Sequence, residues 1–189
     1  MKYAVHGFAA FARGISARTG FVQFHGRGGV TLEVATSSAL LLPYTASSVG
    51  VARRRLIGDL TEAGVYEGTA CDAGLVISEL ISNALRHATP LPGRTVKVAW
   101  HLRQGSVEVS VSDGGGQTVP MVNQPSSWAV GGRGLSIVDR LSLRWGVCVG
   151  PADQDGPAEC APGETTVWAE LPVRYGSSAS LVIASSRDA

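Results

Sequence analysis

Between positions 95 and 111 polar and apolar side chains alternate with period two, as Thr95-Val-Lys-Val-Ala-Trp-His-Leu102 and Ser106-Val-Glu-Val-Ser-Val111 around a short Arg103-Gln104-Gly105 break. Alternation sends successive side chains to opposite faces of a strand, so this pattern predicts a β-hairpin with one face buried. Upstream the period changes. After Pro43 the apolar residues Val49, Ala52, Leu56 and Leu60 recur at helical spacing, behind a Thr45, Ser47, Ser48 cluster that offers N-caps. A second helix, capped by Thr69 or Asp72, runs to about Ala88, with Ile77, Ile81 and Leu85 as one apolar row and Val76, Leu80 and Ala84 as another. Thr89-Pro90 stops it, because the residue before proline is pushed out of helical geometry.

The remaining pattern is shorter. Residues 30–35, partly alternating and β-branched, predict an early strand; a glycine-rich, irregular stretch spans 114–132; a third helix is expected over 135–143 and two further strands over 143–149 and 165–171. Strands that come in runs, with three helices able to cover only one face, predict an α+β two-layer sandwich on a mixed, mostly antiparallel sheet. The other face is then polar or covered by a partner. The expected organisation is an N-terminal arm over residues 1–29, a domain over 30–174 and a Ser/Ala-rich, flexible tail over 175–189.

Composition narrows the function. With 44% hydrophobic residues the chain can bury a core, and 16 basic against 15 acidic residues leave no global field to draw it to nucleic acid or to a membrane surface. The three cysteines, Cys71, Cys148 and Cys160, are odd in number and widely spaced, which signals neither a disulfide framework nor a zinc site and suits a reducing cytoplasm. No apolar run reaches the roughly 18–20 residues of a membrane span. Arg53-Arg54-Arg55 reads as a solvated helix face, with a partner or phosphate patch as the alternative. The 24 glycines among 189 residues, about 13% against the roughly 7% of average chains, ask for a local explanation.

Three clusters carry candidate chemistry. On the second helix Glu79, Asn83 and His87 stand at successive i, i+4 positions and so share a face. A carboxylate there can take a proton from an attacking hydroxyl, and an amide oxygen is a hard ligand suited to Mg²⁺. Asp113 ends a strand and is followed by Gly114-Gly115-Gly116. Gly131-Gly132-Arg133-Gly134-Leu135 opens a helix, where free N–H groups and the positive dipole end suit phosphate and Arg133 adds a charge-assisted contact. Neither glycine run is a P-loop or a dinucleotide fingerprint.

The order of these parts resembles the GHKL ATPase superfamily, which includes DNA gyrase, MutL, histidine kinases and bacterial anti-sigma-factor serine kinases. An E-x-x-x-N-A-x-x-H helix precedes a strand ending D-x-G, a long loop, a G-x-G-L helix start and a final Thr-Thr strand. Residues 78–88 together with 132–138 and Thr165-Thr-Val-Trp168 are most similar to the stand-alone, anti-sigma-type regulatory kinases of actinobacteria, and the resemblance spans roughly residues 42–173. It implies a Bergerat-type ATP-binding fold and the cofactors ATP and Mg²⁺. It implies that Glu79 is the general base, that Asn83 holds Mg²⁺ against the triphosphate, and that Asp113 receives the adenine amino group. Gly115 would let the backbone approach the base; Gly132, Arg133, Gly134 and Leu135 would cradle phosphates; Thr165 or Thr166 would add a polar contact near adenine; His87 would support the site. Two positions depart from the family pattern: Gln117 stands where D-x-G-x-G needs glycine, and Glu164 stands directly before the Thr pair. Both fall on the adenine side, and residues 116–131 have the length and composition of a mobile lid.

The function implied is a cytoplasmic serine/threonine protein kinase that binds a sigma factor or an anti-sigma antagonist, acts as a homodimer, and touches neither nucleic acid nor membrane. The alternative is a catalytically weak, nucleotide-gated interaction module of the same fold. A histidine-kinase core is disfavoured because nothing in this sequence supplies a sensor, a membrane span or a phosphoacceptor histidine in the helix from Val49, and gyrase-like or MutL-like ATPases need a transducer domain that this length does not hold.

Overall fold

Nine elements are ordered along the computed structural model, which describes residues 17–21, 35–103, 105–116, 133–150 and 163–176. They are β1 (Ala17–Phe21), β2 (Ala35–Pro43), α1 (Ser47–Glu62), α2 (Glu67–His87), β3 (Thr95–Arg103), β4 (Ser106–Asp113), α3 (Arg133–Leu141), β5 (Arg144–Val149) and β6 (Thr165–Pro172). The strands form one sheet in the order β1-β2-β3-β4-β6-β5, and every described pairing is antiparallel. This is the expected α+β sandwich.

The alternating residues of the hairpin decide which face is buried. Val96, Val98, Trp100 and Leu102 of β3, Val107, Val109 and Val111 of β4, and Val167, Ala169 and Leu171 of β6 meet Ala52, Leu56 and Leu60 of α1 and Val76, Ile77, Leu80 and Ile81 of α2. Each fully buried Val, Leu or Ile contributes about 1.5–3 kcal/mol of transfer free energy, so these two rows hold α2 against the sheet. The opposite face is polar. One register row across it reads Ser37, His101, Glu108, Glu170, Arg144. Glu108 is 3% exposed there, its carboxyl pushed up by burial and partly restrained by Arg103 at 3.7 Å.

Several expectations shift. A strand that the sequence pattern does not predict, β2, runs Ala35–Pro43, adjoining the one expected over 30–35; its Leu40-Leu41-Leu42 run shows no alternation, and only pairing with β3 reveals it as a strand. Residues 30–34 lie outside the described residues. Residues 17–21, read as part of the arm, form β1 at the sheet edge. Neither α1 nor α2 has a side-chain N-cap. Ser48 Oγ donates instead to the Pro43 carbonyl at 2.6 Å, and Thr45 and Ser47 hydroxyls bond each other at 2.9 Å. Helix α2 starts at Glu67, ahead of Thr69 and Asp72, with the Glu67 carboxylate in the first turn where the dipole favours it. Helix α3 lies two residues earlier than expected at each end.

The glycines after β4 have a structural reason before any functional one. A Cβ on Gly114 would stand 2.7 Å from the Pro90 carbonyl oxygen and 3.0 Å from Thr89 Oγ1, a Cβ on Gly116 would collide with the His87 carbonyl, and Gly115 has φ +75°. Gly58, inside α1, faces open space. Gly114→Ala is therefore expected to cost about 1–3 kcal/mol by overpacking against backbone, whereas Gly58→Ala should gain about 0.5–1 kcal/mol from helix propensity. Urea unfolding midpoints moving in opposite directions for the two variants check this, and a destabilised Gly58→Ala would contradict the open space at that position.

Candidate functional site

Because its apolar rows face the sheet, α2 turns its polar stripe to the rim. Glu79 and Asn83 are half-buried and His87 is exposed. Arg86 leans back across the stripe, with Nη2 donating to Asn83 Oδ1 at 3.2 Å and standing 4.0 Å from Glu79 Oε2. Sequence reasoning passed over Arg86, although its i+3 spacing from Asn83 was a usable signal. Asn83 Nδ2 is buried without a hydrogen-bond partner. An unpaired buried donor costs roughly 1–3 kcal/mol, so stability alone does not explain an amide at this position.

Asp113 ends β4 at 4% exposure. Its Oδ1 accepts the Gly115 N–H at 2.8 Å, and among the described residues its second oxygen has no protein partner. Burial pushes the carboxyl above its ordinary value, and the Gly115 hydrogen bond opposes that push. Thr165 stands directly opposite Asp113 on β6 and shares its face, with Oγ1 3.2 Å from where a Gly115 Cβ would be. Thr166 does not join them. It pairs with Ser112 on the other face, their hydroxyls 2.8 Å apart, as strand alternation requires. Glu164 likewise turns away: its carboxylate meets Lys97 Nζ at 2.7 Å, and Lys97 is in register with Ser112 on the face opposite Asp113.

Arg133 and Gly134 begin α3, Leu135 is half-buried in its first turn, and α3 packs against α2. The start of α3 thus presents helix N–H groups, a surface suited to anions. Gly131, Gly132 and Gln117 lie outside the described residues, as does most of the expected lid. The structure therefore brings Asp113, Gly115 and Thr165 together at one end of α2, with Glu79 and Asn83 on the rim.

A family model described as the histidine kinase-like ATPase domain matches residues 42–146, more than half of the chain. The chain belongs to this family. The matched span contains the α2 stripe, Asp113 and α3. Among solved structures, the RsbU and RsbW domains of Rv1364c from Mycobacterium tuberculosis are 19% identical with a TM-score of 0.52, the likeness covering 74% of this chain and 33% of that one. At that identity the likeness is one of fold. The chain spans about a third of that structure's length. No curated protein matches the chain.

Family membership implies ATP, usually with Mg²⁺, and the described residues fit both. The unpaired Asn83 Nδ2, the free oxygen of Asp113 and the Gly115 backbone beside Thr165 are polar or close-approach features that a nucleotide would satisfy. Among the described residues no group of three or more His, Cys, Asp or Glu is gathered to cage a metal. Asn83 Oδ1, which here accepts from Arg86, is a hard amide oxygen of the kind Mg²⁺ takes beside phosphate and water oxygens.

Burial of the Asp113 charge gives a pH signature with a definite sign. The folded-state pKa is raised above 3.8, so ionisation opposes folding at neutral pH and ceases to do so once pH falls through the folded-state value. Asp113→Asn should stabilise the protein at pH 7, and the gain should shrink as pH falls towards 3.8. Denaturant midpoints at pH 7 and pH 4 measure it; equal gains at both would mean that charge burial is not the source.

Proposed function

We propose that the chain is an ATP-dependent serine/threonine protein kinase of the anti-sigma-factor type. It would work in the cytoplasm, as a homodimer, on an antagonist protein or its sigma factor. The observation that carries this reading is the half-buried Glu79–Asn83 pair, with an unsatisfied Asn83 amide, on a helix whose end meets the buried Asp113. The family match and the fold shared with the RsbW-containing structure support it.

The residues divide the work. Asp113, whose free oxygen is an acceptor, receives the adenine amino group; Gly115 allows the base close to the backbone, and Thr165 adds a hydroxyl beside it. Gly132, Arg133, Gly134 and Leu135 at the start of α3 take the phosphates. Asn83 would hold a Mg²⁺ ion, which when bound would supply positive charge to offset the charge that develops on the phosphates during transfer. Glu79 accepts the proton of the attacking serine or threonine hydroxyl, so that its oxygen bonds to the γ-phosphorus as ADP leaves. His87, exposed one turn after Asn83, has a supporting role.

A second reading, a nucleotide-gated interaction module without phosphoryl transfer, is favoured by Gln117 at a family glycine position. The other departure argues less for it, because the Glu164 carboxylate is engaged by Lys97 on the far face.

Calorimetry with ATP, ADP and GTP, with and without Mg²⁺, tests nucleotide binding, and labelling of a co-encoded antagonist from γ-labelled ATP tests transfer. Asn83→Ala should remove the Mg²⁺-dependent part of ATP affinity. Glu79→Ala should leave binding within about threefold and lower transfer by about 10²–10⁴, the usual contribution of a general base. Asp113→Ala should weaken ATP and narrow its preference over GTP. Properly folded protein that binds no ATP in Mg²⁺ sinks the proposal, and ATP affinity without transfer selects the second reading.

A further inference from the structure

The last turn of α2 is tied into its surroundings twice. The last carbonyls of a helix lack intrahelical donors, although here Ala84's still accepts the Ala88 N–H at 2.9 Å. The Tyr44 hydroxyl, just after β2, supplies the first tie: it lies 2.5 Å from the Ala84 carbonyl and 2.7 Å from the Ala88 carbonyl and shares its one proton between them. Ala84 directly follows Asn83 in the chain. Burial, and secondarily the Asp113 charge, push the Tyr44 phenol up, which keeps it a donor and places it within electrostatic reach of Asp113.

The second tie is Thr89. Its Oγ1 lies 2.9 Å from both the Gly114 and the Gly115 carbonyl and shares its one proton between them. Its N–H donates to the Gly115 carbonyl at 2.8 Å, and its carbonyl accepts the Gly114 N–H at 2.9 Å. The Gly115 N–H in turn holds Asp113 Oδ1. Thr89 is exposed, so its side chain adds little to the core. An exposed threonine whose hydroxyl and both main-chain groups all point into one loop is better explained by geometry than by packing.

We propose that Thr89 and Tyr44 are positioning residues, Thr89 tying the end of α2 to the Asp113–Gly116 segment and Tyr44 fixing the last turn of α2 against the end of β2, so that the metal-phosphate half and the adenine half of the site form one rigid unit. This rests on the ATP reading above for its ligand, while the mechanical link stands on the hydrogen bonds alone. Neither residue touches nucleotide in this scheme. Their effect is on the alignment of the two halves, and a misplacement of about 1 Å is enough to cost a bound group its contacts.

The test uses Tyr44→Phe and Thr89→Val, which keep ring and β-branched volume and remove only hydroxyls, with Thr89→Ser as the conservative rescue. Calorimetry compares adenosine, which engages the adenine half alone, with Mg·ATP, which engages both. Adenosine affinity should stay within about threefold while Mg·ATP affinity falls about tenfold or more, and Thr89→Ser should restore the wild-type ratio. A purely structural role would lower the unfolding midpoint without moving that ratio, and an unchanged ratio in both variants overturns the proposal. Amide hydrogen exchange reads the link without nucleotide: Thr89→Val should speed exchange at Gly114, Gly115 and Ala88 together. If wild-type protein binds neither adenosine nor ATP, the ATP reading fails on its own, and exchange decides the link; acceleration confined to Gly114 and Gly115, with Ala88 untouched, overturns it.

Discussion

The end of α2 and the segment after β4 approach so closely that a methyl group on Gly114 or Gly116 would strike the Pro90 or His87 carbonyl. That approach depends on the apolar rows of α2, since Val76, Ile77, Leu80, Ile81 and Ala84 leave the helix only one way to lie on β4 and β6. Once the helix lies there, the polar stripe must run along the rim and its C-terminal end must meet Asp113. The spatial relation between an amide suited to a metal and a carboxylate suited to a base is thus a consequence of core packing, set at a distance from either group.

Strand alternation then sorts the neighbouring polar residues. Asp113 and Thr165 share the helix-covered face, while Ser112, Thr166, Lys97 and Glu164 are engaged on the other. The same alternation separates a departure that touches the site from one that does not. A glutamate beside the adenine side would repel a carboxylate and crowd a base; a glutamate paired with Lys97 on the far face of the sheet does neither.

Most of this was legible where the pattern was periodic. The β3–β4 hairpin, the apolar rows of α1 and α2, and the strands β5 and β6 follow from period-two and helical spacing, and the candidate site from the order of its short motifs. The misses share a cause, since each was decided by a three-dimensional partner that the local hydrophobic period does not name. Leu40-Leu41-Leu42 has no period of its own and becomes strand only against β3. Ser48 had a choice of acceptors and bonded the Pro43 carbonyl in place of a helix N–H. Thr165 and Thr166 are chemically identical in sequence, and only the register with Asp113 and Ser112 distinguishes them. Arg86 reads as an ordinary solvated helix residue until its guanidinium is seen against Asn83.

The site is also where the fold gives up stability. The strands bury mostly apolar side chains on the helix side, yet Asn83, like Trp100 Nε1 in the core, keeps a buried unpaired donor, and Asp113 carries a carboxyl whose charge burial disfavours. Local violations of this kind persist when something other than folding rewards them. Rigid ties flank both: Tyr44 closes the helix end next to Asn83, and Thr89 holds the glycines next to Asp113. Holding two unfavourable groups in place needs such supports, because an amide or carboxylate free to relax into solvent would shed its cost and lose the geometry that a nucleotide could use.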